Sequence, residues 1–519
     1  MTSNFTKRDT TILKGFAILC IVFHNYFHWL SPSPGENEFN FLSSRVSTFF
    51  HLLGENPGEW FNLLFSYLGH YGVQIFIVVS GFGLTVSMIN KPRTWESFVV
   101  YRLKKLYLLL LTGVLVYYLG VVLMESSFPG VYVTHELKHK LIFIHTLIPN
   151  SGLSVIGPWW FFALILQLYL LFPLLFHWFK KQGWKAFGVV CLISYALIFL
   201  FRYVLNRFNG NIVMMNAPGH LPEFCLGIML ALQQDRKIGW GWLVAAIVVF
   251  CLGNVYAPFY PFTFISIALI TLFAYQGLKR LPIKKRWISR PLAYFGGISM
   301  ALFVVHGSFR NPVLDLAQHM PGAWGHFFSG MIYLLIVWAV AVAAKVFYDF
   351  LCRQVDKIHI REGRITHLIG RICQVALGLF FIYILTFFVV QNLHKNTQQV
   401  SEIQLTESAE FTQDMATIAT IEPDRNWLSF DVKCSFDFSS MDTTAPMPKA
   451  VFDIPSNLWL SFVIPDSYNT TSPQRYEYTY HYDRPFNVNL KGKKLRLYLW
   501  NPNEKGPFKF ENAQVTVLR

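Results

Sequence analysis

Windows of about twenty apolar residues, each long enough to cross the hydrocarbon core of a bilayer, recur between positions 12 and 391. In that solvent every backbone N–H and C=O must be satisfied within its own segment, so such windows fold as helices. Eleven can be read, at 12–30, 61–89, 104–123, 157–179, 186–205, 219–234, 240–255, 262–277, 291–313, 326–350 and 371–391. Those at 219–234 and 240–255 are short enough to be tilted or re-entrant. Only 14% of the residues are charged, about half the share in soluble domains. A polytopic membrane chain is the class that fits. The first window is too long for a removed signal peptide and lacks a small-residue cleavage site.

Charge orients the windows. With the N-terminus in the cytoplasm, the inner segments carry 24 Lys and Arg and the outer loops four: Arg45, Lys138, Lys140 and Arg207. That is the positive-inside bias, and it places the chain after the eleventh window outside. Residues 392–519 hold 13 basic and 15 acidic residues against a total net charge of +15. The basic surplus therefore belongs to the membrane part as a topology signal, and no nucleic-acid partner is expected.

Beyond 391 the pattern changes to period-two alternation, as in "LWLSFVIP", "YEYTYHY" and "KLRLYLW", broken by Pro, Gly, Asn and Asp. This predicts short antiparallel strands in an extracytoplasmic β-sandwich. The expected organisation is an all-α membrane domain at 1–355, a cytoplasmic loop and extra helix at 356–391, a linker at 392–410, and the β-sandwich at 411–519. The seven cysteines form no CxxC or zinc spacing, and no metal is expected.

Several windows hold polar residues where these are costly. His24 lies about twelve residues into the first, near or just beyond the midplane on the outer side; the alternative is a structural histidine bonded to a neighbouring helix. His28 follows one turn later on the same face. The second window, "GHYGVQIFIVVSGFGLTVSM", offers His70 and Ser80 among glycines suited to close helix packing. In "YRLKKLY", Arg102, Lys104 and Lys105 stand at the inner mouth of the third window, as interfacial anchors or as a phosphate clamp. Trp159 and Trp160 fall where an aromatic belt is expected, or they line a pocket. Glu223 needs a partner inside the membrane, with His220 and Arg202 as candidates. His306 sits at a depth similar to that of His24.

Taken in order, these segments resemble the acyltransferase-3 family of membrane O-acyltransferases. The resemblance rests on "LKGFAILCIVFHNY", "GVQIFIVVSGFGLT", "FVVYRLKKLY", "GPWWFFALILQLYLLFPLL", "LPEFCLGIML" and "FGGISMALFVVH". It departs at Lys14, which stands ten residues before His24 where the family usually has arginine eleven before, and at Phe303, where tyrosine is frequent. It lacks the G-D-S motif of members that carry an exported esterase.

The resemblance implies about ten family spans, here with an eleventh, in a bacterial plasma membrane. It implies transfer of an acyl group, most often acetyl, from cytoplasmic acyl-CoA to a hydroxyl of an extracytoplasmic carbohydrate. His24 would be the base or a transient acyl carrier, with His306 and Glu223 assisting. Lys14, Arg102, Lys104 and Lys105 would hold the CoA phosphates, and Ser80, Trp159, Trp160, His28 and His70 would line the acceptor path. The β-domain would stack sugars on Trp427, Trp459, Trp500, Tyr476, Tyr478, Tyr480 or Tyr482, or dock glycan-synthesis proteins. The rival is a transporter or flippase for a glycan or lipid-linked intermediate, which would use the same polar residues as a path; no transporter-type repeat is visible.

Overall fold

The computed structural model describes residues 5–125, 131–148, 151–204, 211–233, 239–280, 286–357 and 403–518, the last apart from 413–414, 425–426, 428, 446, 455–457, 465–467, 484–489, 502–503 and 505. The chain divides into two compact units, Met1–Gln374 and Val375–Arg519.

The first unit is helical. Its helices are α1 (Lys7–Phe27), α2 (Ser43–Glu55), α3 (Trp60–Leu68), α4 (Gly72–Asn90), α5 (Trp95–Glu125), α6 (Val131–Leu141), α7 (Trp160–Gln182) and α8 (Trp184–Phe199). There follow α9 (Asn211–Met214), α10 (Ala217–Leu232), α11 (Trp240–Val255), α12 (Thr263–Arg280), α13 (Arg286–Gly297), α14 (Ser299–Val305), α15 (Arg310–Ala317) and α16 (Gly322–Lys357). Seven described helical stretches are long and apolar enough to cross a membrane, or eight if the pair Trp287–Gly297 and Ser299–Ala317, bent by 60°, is one span.

Eleven spans is therefore more than the described residues show. α10 and α11 have 16 residues each, about 24 Å of helix, short of the roughly 30 Å core. The window 371–391 lies outside the described residues.

α1 starts with a capping box: Thr6 accepts from the Asp9 N–H while Asp9 reaches back to the Thr6 N–H. Asp9 also accepts from the Tyr275 hydroxyl at 2.6 Å and from Lys279 Nζ at 2.7 Å, which ties this end of α1 to α12. α4 and α10 cross at a pair of glycines. A Cβ on Gly81 would lie 2.2 Å from the Phe224 carbonyl oxygen, and one on Gly227 2.0 Å from that of Val78. The small-residue crossing seats both helices against the core around α1.

The second unit is antiparallel β. Its strands are β1 (Ile403–Leu405), β2 (Ala409–Phe411), β3 (Met415–Ile421), β4 (Ser429–Ser440), β5 (Lys449–Ile454), β6 (Leu458–Val463), β7 (Gln474–Asp483), β8 (Leu495–Trp500) and β9 (Phe508–Leu518). They form a five-stranded sheet, β1-β3-β8-β5-β6, and a four-stranded sheet, β2-β9-β4-β7. Alternate residues such as Ile418, Val432, Phe436, Phe452, Leu497 and Phe510 are buried in one cluster. β1 and β2 lie in the stretch read as a linker, where Ile403 pairs with Ile421 and Ala409 with Phe510.

Candidate active site

The site forms where the end of α1 meets the 3-10 turn Gly69–Tyr71 that joins α3 to α4. A Cβ at Gly69 would lie 2.7 Å from both the Cys20 carbonyl oxygen and His24 Cβ, so the junction closes on α1 because glycine is there. That approach brings the His70 ring within 5.5 Å of the His24 ring, centroid to centroid. The His28 ring, one helical turn on, lies at the same distance.

Two acids reach these imidazoles from the loop 28–42. Glu36 Oε2 stands 2.5 Å from His24 Nε2 and 3.3 Å from His28 Nδ1. Ligand atoms of Glu38, Glu36 and His24 lie within 4.8 Å of one another. The Phe65 carbonyl oxygen is 3.2 Å from His24 Nδ1. A carbonyl only accepts, so Nδ1 carries the proton and Nε2 is directed at Glu36.

The loop is held from several sides. Arg45 donates to the Asn40 carbonyl at 3.2 Å and to that of Glu36. Arg202 donates to Asn40 Oδ1 at 3.2 Å, and the Tyr260 hydroxyl to the Asn37 carbonyl at 2.8 Å. Phe39 packs edge-on against Trp160 at 5.1 Å. Burial pushes the Glu36 carboxyl up, but the charge and hydrogen bond of His24 outweigh it and hold Glu36 below the usual carboxylate range. Glu38, pushed the same way by burial and then by the Glu36 charge, is held above it.

His306 is fully buried. Its Nδ1 lies 2.8 Å from the Phe303 carbonyl oxygen, and its Nε2 has no hydrogen-bond partner among the described residues. Tyr333 donates to the His306 carbonyl at 2.6 Å and stacks on Tyr26 of α1 at 4.8 Å. Arg310 and His24 are both near enough for their charges to act on His306.

Glu223 is bound elsewhere. Its carboxylate pairs with His220 Nδ1 at 2.7 Å, and the His220 ring is sandwiched between Trp160 and Phe264 at 5.6 and 5.4 Å. Of the two partners considered for Glu223, His220 takes it and Arg202 holds the loop. Trp159 and Trp160 are buried and form no lipid-facing belt: Trp159 Nε1 donates to the Val304 carbonyl at 2.9 Å, fastening α7 to α14. The half-buried Ser80 faces none of these groups in a hydrogen bond among the described residues.

The cations lie at the opposite end of the bundle. Lys14 precedes His24 by ten residues, about 15 Å along the helix. It is close enough to Arg102 for their charges to oppose each other. Arg102 lies over the rings of Phe98, Tyr101 and Tyr169 at 5.5–5.7 Å, with its buried Nε unbonded among the described residues. Lys105 lies 4.5 Å from the Tyr101 ring. Lys104 pairs with Asp356, so it is the least available of the four for a phosphate.

In the β unit, Trp427, Tyr476 and Tyr480 are buried in the core, and Tyr478 packs against it. They do not present the free faces that sugar stacking requires. Trp500 is half-buried, with Lys449 Nζ 5.5 Å from its ring. The side chains of Trp459 and Tyr482 lie outside the described residues.

Glu36, Glu38, Arg45 and Arg310 are the site residues that sequence reasoning missed. The available signal was "GENEF": two acids just after the histidine helix, in a chain with 29 acids among 519 residues.

No curated protein and no solved structure matches the chain. The profile of one family, described as an acyltransferase domain, matches residues 10–344. That is the helical unit from α1 into α16 and well over half of the sequence, with His24, His70, Arg102 and His306 inside it. The chain belongs to the acyltransferase-3 family of membrane acyltransferases.

Proposed function

We propose that this acyltransferase is an O-acyltransferase, most simply an O-acetyltransferase. It would move an acyl group from cytoplasmic acyl-CoA to a hydroxyl of an extracytoplasmic carbohydrate, across a bacterial plasma membrane with the N-terminus inside. The observation that carries this reading is the His24 arrangement: Nδ1 on the Phe65 carbonyl and Nε2 on Glu36. A ring with one nitrogen fixed and the other facing a carboxylate is built to take a proton and pass it on.

Acyl-CoA, as donor, supplies an activated thioester. Lys14 and Arg102 are suited to hold its phosphates, with Lys105 beside them. In its neutral form, with the proton on Nδ1 and Nε2 unprotonated, His24 takes the proton of the acceptor hydroxyl at Nε2 while the oxygen forms its bond to the acyl carbon. The carbon–sulfur bond breaks, and the proton goes to the leaving thiolate, giving ester and free thiol. Glu36 orients the ring and stabilises its positive charge during the transfer. His306 Nε2, a buried lone pair, can accept a hydrogen bond from the incoming hydroxyl. The two sheets read as a sandwich that holds the acceptor chain or a partner enzyme outside the membrane.

The test uses purified protein in nanodiscs with acyl-labelled acyl-CoA and a panel of glycans. Label should appear on the glycan as an alkali-labile ester, with one thiol released per ester. His24→Ala should lower turnover by at least about 10²-fold with an unchanged melting profile. Transfer that survives His24→Ala, or passage of unmodified glycan across the bilayer without acylation, overturns the reading.

A further inference from the structure

A proton-transfer pair needs one imidazole and one carboxylate, and this pocket holds three imidazoles and two carboxylates. His28 and Glu38 have no part in the transfer described above, yet Glu38 lies within 4.8 Å of the His24 and Glu36 ligand atoms, and His28 Nδ1 stands 3.3 Å from the same Glu36 Oε2 that faces His24. We propose that His24, His28, Glu36 and Glu38 form a site for a divalent transition-metal ion of the zinc type. Occupancy would silence acyl transfer by capturing His24 Nε2. The silencing rests on His24 being the base; the ion site does not.

The donor set selects the ion. Calcium and magnesium take oxygen ligands, whereas two imidazoles with two carboxylates suit zinc and its neighbours. Bonds of about 2.0–2.1 Å in a tetrahedral site put ligand atoms roughly 3.3 Å apart. His28 Nδ1 and Glu36 Oε2 already stand at 3.3 Å. The 2.5 Å contact between His24 and Glu36 opens when the ion replaces the shared proton, and the Glu38 side chain closes inward from within 4.8 Å. The Phe65 carbonyl on His24 Nδ1 is the outer-sphere hydrogen bond that metal-binding histidines require. Two carboxylates and a dication sum to zero, so the ion offsets the charge that Glu36 and Glu38 bring together in the pocket.

His70 supplies an independent sign that this pocket lacks a partner for its donors. It is 1% exposed and faces the His24 ring. The Tyr67 carbonyl lies beside it, but among the described residues neither ring nitrogen meets a partner in hydrogen-bond geometry. An ion can enter past His28 and Glu36, whose side chains are 25% and 22% exposed. Arg310 and Arg45 act on the same pocket, and their charge keeps the affinity below that of closed structural zinc sites.

Tag-free full-length protein in nanodiscs, stripped with EDTA, is titrated with Zn²⁺ against a fluorescent chelator. One ion per chain is expected, with at least tenfold weaker binding in Glu38→Gln and in His28→Gln. His51→Ala, in the exposed His51–Glu55 pair, should bind as the wild type does. Co²⁺ added to the wild-type protein should give the visible absorption of a low-coordinate nitrogen–oxygen site, bleached by Zn²⁺; this readout needs no variant. Zn²⁺ should stop acyl transfer over the range in which it binds, and EDTA should restore it. Failure to saturate at one ion, or binding that Glu38→Gln and His28→Gln leave unchanged, overturns the site. Full activity with the ion bound overturns the silencing. Loss of binding in both variants, in a protein that transfers no acyl group at all, supports the site while removing the acyltransferase reading.

Discussion

A histidine within an apolar helix is tolerated when its ring nitrogens find partners, and His24 finds the Phe65 carbonyl and the Glu36 carboxylate. The loop acids differ in sign. Glu36 is held below the ordinary carboxylate pKa, so the stability it adds is present above about pH 4.5 and is lost as pH falls through its folded value. Glu38 is held above it, so the folded chain grips that proton more tightly than the unfolded chain does. Stability from Glu38 is present in acid and is lost as pH rises through its folded value. Glu38→Gln, which stays neutral, should therefore melt with the wild type near pH 4.5 and above it on the alkaline side. Thermal melts across that range check the sign; a gap of constant size would show that Glu38 is not held protonated.

Among the elements, the α4–α10 crossing is the most constrained. A Cβ at Gly227 meets the backbone of Val78 at 2.0 Å, and backbone cannot rotate away as a side chain can. Gly227→Ala should cost about 2 kcal/mol or more through forced helix separation. Gly83→Ala, two residues along α4 from Gly81 and with nothing within 4 Å, should stay within about 0.5 kcal/mol. Melting of the two variants in the same detergent decides it, and equal destabilisation would mean that the crossing is not tight. The Lys104–Asp356 pair is a weaker element: its carboxylate side chain is 59% exposed, and such pairs contribute about 0–1 kcal/mol.

At the scale of the helical unit, the His24 pocket and the Lys14–Arg102 cations lie apart along the bundle, which is the arrangement that the transfer proposed above would require. Glu55 ends α2 beside α3, which leads to the pocket, and Lys181 sits in the last turn of α7, at the far end from Trp160. In a background lacking Cys251, Glu55→Cys should react with a membrane-impermeant maleimide on intact cells. Lys181→Cys should react only after permeabilisation. The reverse pattern would invert the orientation that the positive charges assign.

What the sequence determined by itself is what single segments encode in their own composition. Apolar length gives membrane helices, period two gives strands, the distribution of Lys and Arg gives an expected orientation, and a histidine amid apolar neighbours marks itself by its cost. His24, His70 and the cluster at Arg102 were legible on those grounds. Tertiary structure alone decided the rest, because contacts between segments carry no local signal. Glu36 and Glu38 look like ordinary loop acids until Arg45, Arg202 and Tyr260 fold their loop onto α1. Glu223 was legible as a buried acid, but only packing gave it to His220 and not to His24. The same holds for Trp159 and Trp160, whose place near a helix start predicts a lipid-facing belt. Their burial follows from α14 and the loop 28–42 closing over them.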